Sequence, residues 1–562
     1  MKMQVLKHIT AIIFLALSFS SCLDDLNTEP LNKKKLLNTN VYTSTQGYLG
    51  VLAKCYGSLI LNGQDGPDKD GDVGGMDIGY SGYTRSLFYL QECSSDQIVL
   101  HSGSSQGSRD LLYMNWNQST PIISYSYYRL YMSINYCNEF LRESTENKLR
   151  DRGLYDELKD EISYYRAEAR FIRAYCYSMI CDLYGSGPFV DETMAIGIIP
   201  HQKSRKEIYN YLVAETEALT TEMKAPGTNQ YGRVDQVAAW FLLARVYLNA
   251  ETWVGANEYE KAYQYSKKIV DNSSYPLASD YRHIFLADNH TCKEIIWSLP
   301  QDEVHTINSA GTNFLIKALV NGPMDRYYQT GIGARGWGNA RVKTQLVDMF
   351  EPSDQVFDSL DSWGDLKRDK RAQFFSINHS RETWIEGSNF QATNFYHGYA
   401  CIKWRNVSKD RKELAPGGTT YTSIDYPMFR TADAYLIAAE AILRGASGSR
   451  MQALDYINEI RDRAYMSGNY GSGLSGRIND KQLTLDFILD ERARELHTEL
   501  VRRTDLIRFD KYTKGYDWDW KGSDGNAGNY IGKDVNDKYK LFPIPQNEFT
   551  VNPHLVQNDN YK

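Results

Sequence analysis

Tyr80, Tyr83 and Arg85 fall in one stretch rich in Gly and Asp, and Tyr327, Tyr328, Arg335 and Trp337 fall in another. Trp363 and Trp384 follow in segments of similar character. A Tyr or Trp ring offers an apolar face together with a polar edge. The guanidinium of Arg85 or Arg335 offers several donors in a fixed fork. Rings beside donors suit a ligand that presents both C–H faces and hydroxyls, which describes a sugar. One ring covering about half of a sugar face contributes roughly 1–2 kcal/mol. Taken alone, each of these side chains reads first as structural. With 42 tyrosines beside 10 tryptophans, most rings must fill helix interfaces.

Three strings have the outline of other chemistry. Gly103-Ser104-Ser105-Gln106-Gly107 fits a nucleophile elbow, and Ile98-Val99-Leu100 before it has strand character. No apolar helix begins directly after it, and the alternating strands and helices of a hydrolase sheet are missing. Gly331-Ile332-Gly333-Ala334-Arg335-Gly336 fits a dinucleotide fingerprint, but Asp325-Arg326-Tyr327-Tyr328 ahead of it is no buried strand, so it reads as a loop. Asp68, Asp70 and Asp72 are spaced like the start of a calcium loop. Its sixth and twelfth positions are Val73 and Gly79, where Gly and Glu would be needed. These aspartates are the one metal candidate. HExxH and paired-cysteine zinc spacings are absent, and no cofactor is implied. Two carboxylates at glycosidase separation could be drawn from any of 70 acidic residues, so sequence alone leaves hydrolysis open.

The elements that must position these loops are helical. Leu158, Ile162, Tyr165, Ala169, Ile172, Cys176, Met179 and Leu183 recur at alternating steps of four and three, a single buried stripe. Gly185-Ser186-Gly187-Pro188 ends that helix. Ser204 and Glu207 form a capping box for the next. Helix pairs predicted over 234–270 and 432–464 match the ~34-residue tetratricopeptide unit, and such units must stack to be stable. From Asp280 to Tyr426 the periodicity breaks, with a short strand predicted at Glu294–Leu299. The fold class expected is mainly α, a tetratricopeptide-like scaffold with long loops and a few short strands. Trp518 and Trp520 read as exposed.

The first residues set the compartment. Lys2 and Lys7 precede an apolar run from Ile9 to Phe19, about half the ~20 residues of a membrane span. Small residues then lead into Cys22, which predicts a lipoprotein signal with Cys22 acylated. The formal charge of -7 argues against nucleic acid as a partner. The remaining cysteines, at 55, 93, 137, 176, 181, 292 and 401, lack a CxxC and read mostly as buried thiols. The expected organisation is a signal over 1–21, a tether over 22–40 and a helical scaffold over 41–279. A loop-rich ligand face over 280–427 and a helical C-terminal segment over 428–562 complete it.

Six collinear segments carry a resemblance. They are Cys22-Leu23-Asp24-Asp25-Leu26-Asn27-Thr28-Glu29-Pro30; Arg166 to Tyr184 with Gly185-Ser186-Gly187-Pro188; and Gly232-Arg233-Val234-Asp235 with Ala244 to Ala250. Met428 to Ala441, then Asp490 to Leu496 with Arg502 to Leu506, and finally Leu541 to Glu548 with Asn552-Pro553 and Gln557-Asn558 follow. Together they resemble the RagB/SusD family of surface glycan-binding lipoproteins. Ala493-Arg494 departs from the consecutive arginines more usual there. The resemblance implies a non-catalytic protein on the outer face of the outer membrane. It implies a glycan ligand and a SusC-like, TonB-dependent transporter as partner, with Trp518 and Trp520 available to face it. Arg492, Glu495, Arg502 and Asp505 read as salt-bridged framework. The alternatives are a surface glycoside hydrolase, or a transporter lid that binds peptide or other cargo.

Overall fold

The computed structural model describes residues 41–561 apart from 65, 68, 101–105, 327, 351–368, 385–393, 466–475 and 524–529. The signal, Cys22 and the tether therefore lie outside the described residues, as do Asp68, Tyr327, Trp363 and most of the 103–107 string. Among the described residues no helix is long and apolar enough to cross a membrane.

The frame is a stack of helices: α1 (Thr45–Ile60), α2 (Tyr83–Phe88), α3 (Pro121–Glu143), α4 (Tyr155–Leu183), α5 (Arg205–Glu222), α6 (Gln236–Leu248) and α7 (Tyr259–Val270). After a long interval come α8 (Gly311–Leu319), α9 (Thr431–Leu443), α10 (Arg450–Tyr465), α11 (Leu485–Leu496) and α12 (Arg502–Arg508). From α3 to α7 each long helix packs on its successor, α7 packs on α9, and α9 packs on α10. The segment from 271 to 430 is thus inserted between two neighbouring layers of one stack. A two-stranded antiparallel sheet closes its base, with β1 (Ile295–Leu299) on β2 (Tyr426–Arg430), so the insertion leaves and re-enters the frame at one point.

The predicted stripe on α4 is buried along almost its whole length, Met179 alone being only partly covered. The helix ends where Gly185 takes φ +76°, a left-handed conformation that costs glycine nothing. Ahead of α5 the capping box is complete: Ser204 N–H donates to Glu207 at 2.8 Å, and Glu207 N–H donates to Ser204 Oγ at 3.4 Å. Ser204→Ala should cost about 1 kcal/mol in a denaturant titration, with Ser204→Gly costing less. The seven cysteines among the described residues are buried and free.

The α9–α12 layer is joined by ions as well as apolar contacts. Glu495 accepts from Arg430 at 2.6 Å and Arg371 at 3.2 Å, and also from Arg463. Arg492 reaches Asp433 at 2.7 Å and Asp505 at 2.8 Å, and Arg502 reaches Asp96 at 2.6 Å. Every one of these groups is buried, so the framework role expected for Arg492, Glu495, Arg502 and Asp505 is what they perform.

Glu92 lies in a single π-helical turn, Tyr89–Cys93, that continues α2. Burial pushes its carboxyl up to about 8, against the pull of the Leu500 N–H that it accepts at 2.6 Å. A carboxyl whose folded pKa lies above its unfolded one stabilises most at low pH. Its contribution falls as pH rises from about 4.5 through about 8. The fall in thermal midpoint between pH 5 and pH 9 should be shallower in Glu92→Gln than in the parent. An unchanged slope would mean that Glu92 is ionised in the folded protein.

Candidate functional site

The site is built where the loop before α2 meets the far end of α8. Tyr80 stacks on Tyr89 with ring centroids 5.4 Å apart. Arg85, on α2, lies over the Tyr80 ring at 4.2 Å and over Phe314 of α8 at 4.7 Å, with Trp337 at 6.0 Å. Its Nη1 donates to Ser309 O at 3.3 Å and its Nε to Tyr89 Oη at 3.4 Å, so the guanidinium is held in place.

Trp337 reaches this cluster because its chain is tied to the end of α8. Trp337 N–H donates to Lys317 O at 2.6 Å, Gly338 N–H to Val320 O at 2.8 Å, and Asn339 N–H to Ala318 O at 2.8 Å. These bonds satisfy carbonyls that the end of a helix leaves open. The approach requires the glycines on both sides. A Cβ on Gly336 would come within 2.6 Å of Val320 O, and Gly338 has φ +66° with Phe395 2.9 Å from its missing Cβ. Trp337 stays 44 % exposed, and Tyr396, joined to this segment through Asn321, stays 41 % exposed. Asn321 Nδ2 donates to Tyr396 Oη at 3.4 Å.

Lys317, one turn along α8 from Phe314, is buried with its ammonium 5.6 Å from the Trp337 ring centroid and 5.3 Å from that of Tyr421. Burial, reinforced by the Arg335 charge, lowers its pKa to about 8. Arg335 is exposed and donates Nη1 to Ile332 O at 3.0 Å and Gly417 O at 3.2 Å. The result is a half-open rim of Tyr80, Trp337, Tyr396 and Tyr421 with three cations between the rings. It offers flat apolar faces and directed donors.

Of the predicted residues, the structure brings together Tyr80, Arg85, Arg335 and Trp337. Tyr83 is a correction: it faces the core, its hydroxyl bonded to that of Tyr175, because α2 begins at Tyr83 and turns that position inward. Tyr328 is another, fully covered beneath Arg405 at 3.8 Å and donating to Ile402 O at 3.2 Å. Trp384 lies in a different cluster, stacked on Tyr530 at 4.1 Å beside Trp520. Trp518 and Trp520 are buried rather than exposed, the indole N–H of Trp520 donating to Thr383 at 3.0 Å. Asp72 pairs with buried Arg129 at 3.7 Å while Asp70 is exposed, and no group of three His, Cys, Asp or Glu able to hold a metal occurs among the described residues. The Gly331–Gly336 string is a loop whose glycines admit close contact with Asn406 O and Gly417 O, not a phosphate cradle after a strand.

Phe314, Lys317, Tyr396 and Tyr421 escaped sequence reasoning. One signal was available for Lys317: it is the single charge in the apolar run Phe314-Leu315-Ile316-Lys317-Ala318-Leu319-Val320.

Comparison with known proteins agrees with this architecture. The family model described as the SusD family matches residues 293–561. The starch-binding protein SusD of Bacteroides thetaiotaomicron is 30% identical over 598 residues, covering 100% of both chains. A SusD-like protein of Formosa agariphila is 25% identical over 70% of this chain and 72% of its own. Among solved structures, surface glycan-binding protein A from Bacteroides uniformis superposes with a TM-score of 0.65 at 23% identity, covering 92% of this chain and 100% of that one. The Bacteroides thetaiotaomicron protein of that name, in complex with laminarihexaose, gives 0.64 at 19%, covering 92% and 99%. These two superpositions speak for the fold alone. The full-length match to the starch-binding protein carries the assignment further, and the chain belongs to the SusD family.

Proposed function

We propose that this protein is a non-catalytic, surface-exposed lipoprotein that holds a glycan on the rim of Tyr80, Arg85 and Trp337. In this reading it passes the glycan to a SusC-like, TonB-dependent transporter in the outer membrane. The observation that carries the reading is the half-exposed Trp337 ring set beside an immobilised guanidinium. Two or three such rings with flanking donors give micromolar to millimolar affinity, which suits capture followed by release. Relatives named for starch binding or surface glycan binding, one of them holding laminarihexaose, support a glycan ligand. They are named as binders rather than enzymes, which favours retention without cleavage.

The anchor in this reading is the acylated Cys22 and its tether. Native gels cast with polysaccharide should retard the purified protein, and the oligosaccharide should be recovered at its original length. Shorter products would replace this reading with hydrolysis. Cys22→Ala should move the protein from the membrane fraction to the soluble one, and unchanged membrane retention would reject the anchor.

A further inference from the structure

We propose that the rim selects glycans bearing an anionic group, a uronate carboxylate or a sulfate ester, over neutral glycans of the same linkage. The inference rests on the glycan-binding reading above and adds the charge of the ligand to it.

Arg85, Lys317 and Arg335 all border the exposed Trp337–Tyr421 surface, and among the described residues none has a carboxylate oxygen within 4.0 Å. They meet carbonyls, a phenol and aromatic rings. Acids of the surrounding loops accept from backbone N–H groups and a hydroxyl rather than from these cations. Asp77 accepts the Tyr80 N–H, Asp325 accepts from Thr330, and Glu413 accepts the Gly417 N–H. In the frame, by contrast, Arg371, Arg430 and Arg492 are each met by two or more carboxylates.

A sugar hydroxyl both donates and accepts, so a site for neutral sugar gains from having carboxylate acceptors as well as donors. Among the described residues the charged side chains set between these rings, Arg85, Lys317 and Arg335, are donors, with Asp77 the acid at the edge of the Tyr80 turn. Two buried cations, Arg85 and Lys317, and the exposed Arg335, partnered by dipoles and rings, leave a surplus of positive potential there, on a protein whose net charge is negative. A carboxylate or sulfate resting over Trp337 would meet that surplus. The lowered Lys317 pKa has the same origin, burial and the Arg335 charge with no acid to offset them.

The test uses matched pairs of polysaccharides: uronans against their carboxyl-reduced forms, and sulfated galactans against their desulfated forms. Dissociation constants are measured by affinity electrophoresis at low salt and at about 0.3 M salt. The acidic member of at least one pair should bind about tenfold tighter or more, and salt should narrow the ratio several-fold. Lys317→Met and Arg335→Gln should each reduce the acid-to-neutral ratio, with circular dichroism reporting that the fold persists. The pair that responds identifies carboxylate or sulfate as the source. Equal or tighter binding of the neutral members, or a ratio unmoved by both substitutions, overturns the inference and leaves glycan capture standing. Failure of every glycan to bind removes both.

Discussion

Glu495→Ala should destabilise the protein by roughly 3–5 kcal/mol, a large share of the ~5–15 kcal/mol that typically holds a native protein folded. Glu495 is fully buried and accepts from Arg371, Arg430 and Arg463, which are themselves buried. Burial alone would raise its pKa, but Arg463, Arg430 and Arg371 hold its carboxyl well below the usual carboxylate range. Removing it strands three guanidinium groups in a medium that cannot solvate them. The carboxylates that remain, Glu294, Asp369, Glu491 and Glu499, are already engaged with the same arginines. Urea unfolding of the variant, beside Glu146→Ala as an exposed-pair control, measures the difference. The Glu146–Arg150 pair lies in water, where such pairs are worth little. A Glu495→Ala loss below about 1 kcal/mol would mean that water reaches this network and solvates it.

Trp337→Ala should weaken glycan binding about tenfold or more, and Trp337→Phe by distinctly less. The indole is the largest exposed ring of the rim, and its backbone is fixed by three hydrogen bonds to the end of α8, so little ordering entropy is spent when a sugar docks. Because 44 % of the residue is exposed, truncation should leave the thermal midpoint close to that of the parent. Trp520→Ala is the informative contrast. That ring is completely buried and bonded to Thr383, so its loss should lower the midpoint strongly. Unaltered affinity in Trp337→Ala, measured on a glycan the parent binds, would place the ligand elsewhere on the molecule.

The helical frame was legible because helix burial is written in local spacing. The α4 stripe, the capping box of α5, the paired helices of 236–270 and 431–465 and the strand at 295–299 all lie where periodicity puts them. Thiols in apolar stripes are buried thiols for the same reason. The site was only partly legible. Arg85 and Trp337 stood out as a donor and a ring in Gly-rich stretches, yet Tyr83, two residues from Arg85, is core. A Tyr at a loop edge and a Tyr at a helix start have the same neighbours in sequence. Which one meets solvent depends on where the helix begins and on what packs over it.

The amino-acid sequence by itself determined the stack of helices and the family to which it belongs, since each rests on residues a few positions apart or on collinear motifs. The acids and arginines that brace the stack, such as Asp96 and Arg502, find one another only in the fold. Only the tertiary structure decided which rings face water and which charges go unanswered. Arg85 and Trp337 are 252 positions apart along the chain, and Lys317 reaches them from the last turn of α8. Exposure and charge compensation are properties of what arrives from elsewhere in the chain, and the long insertion between α7 and α9 is what brings those residues together.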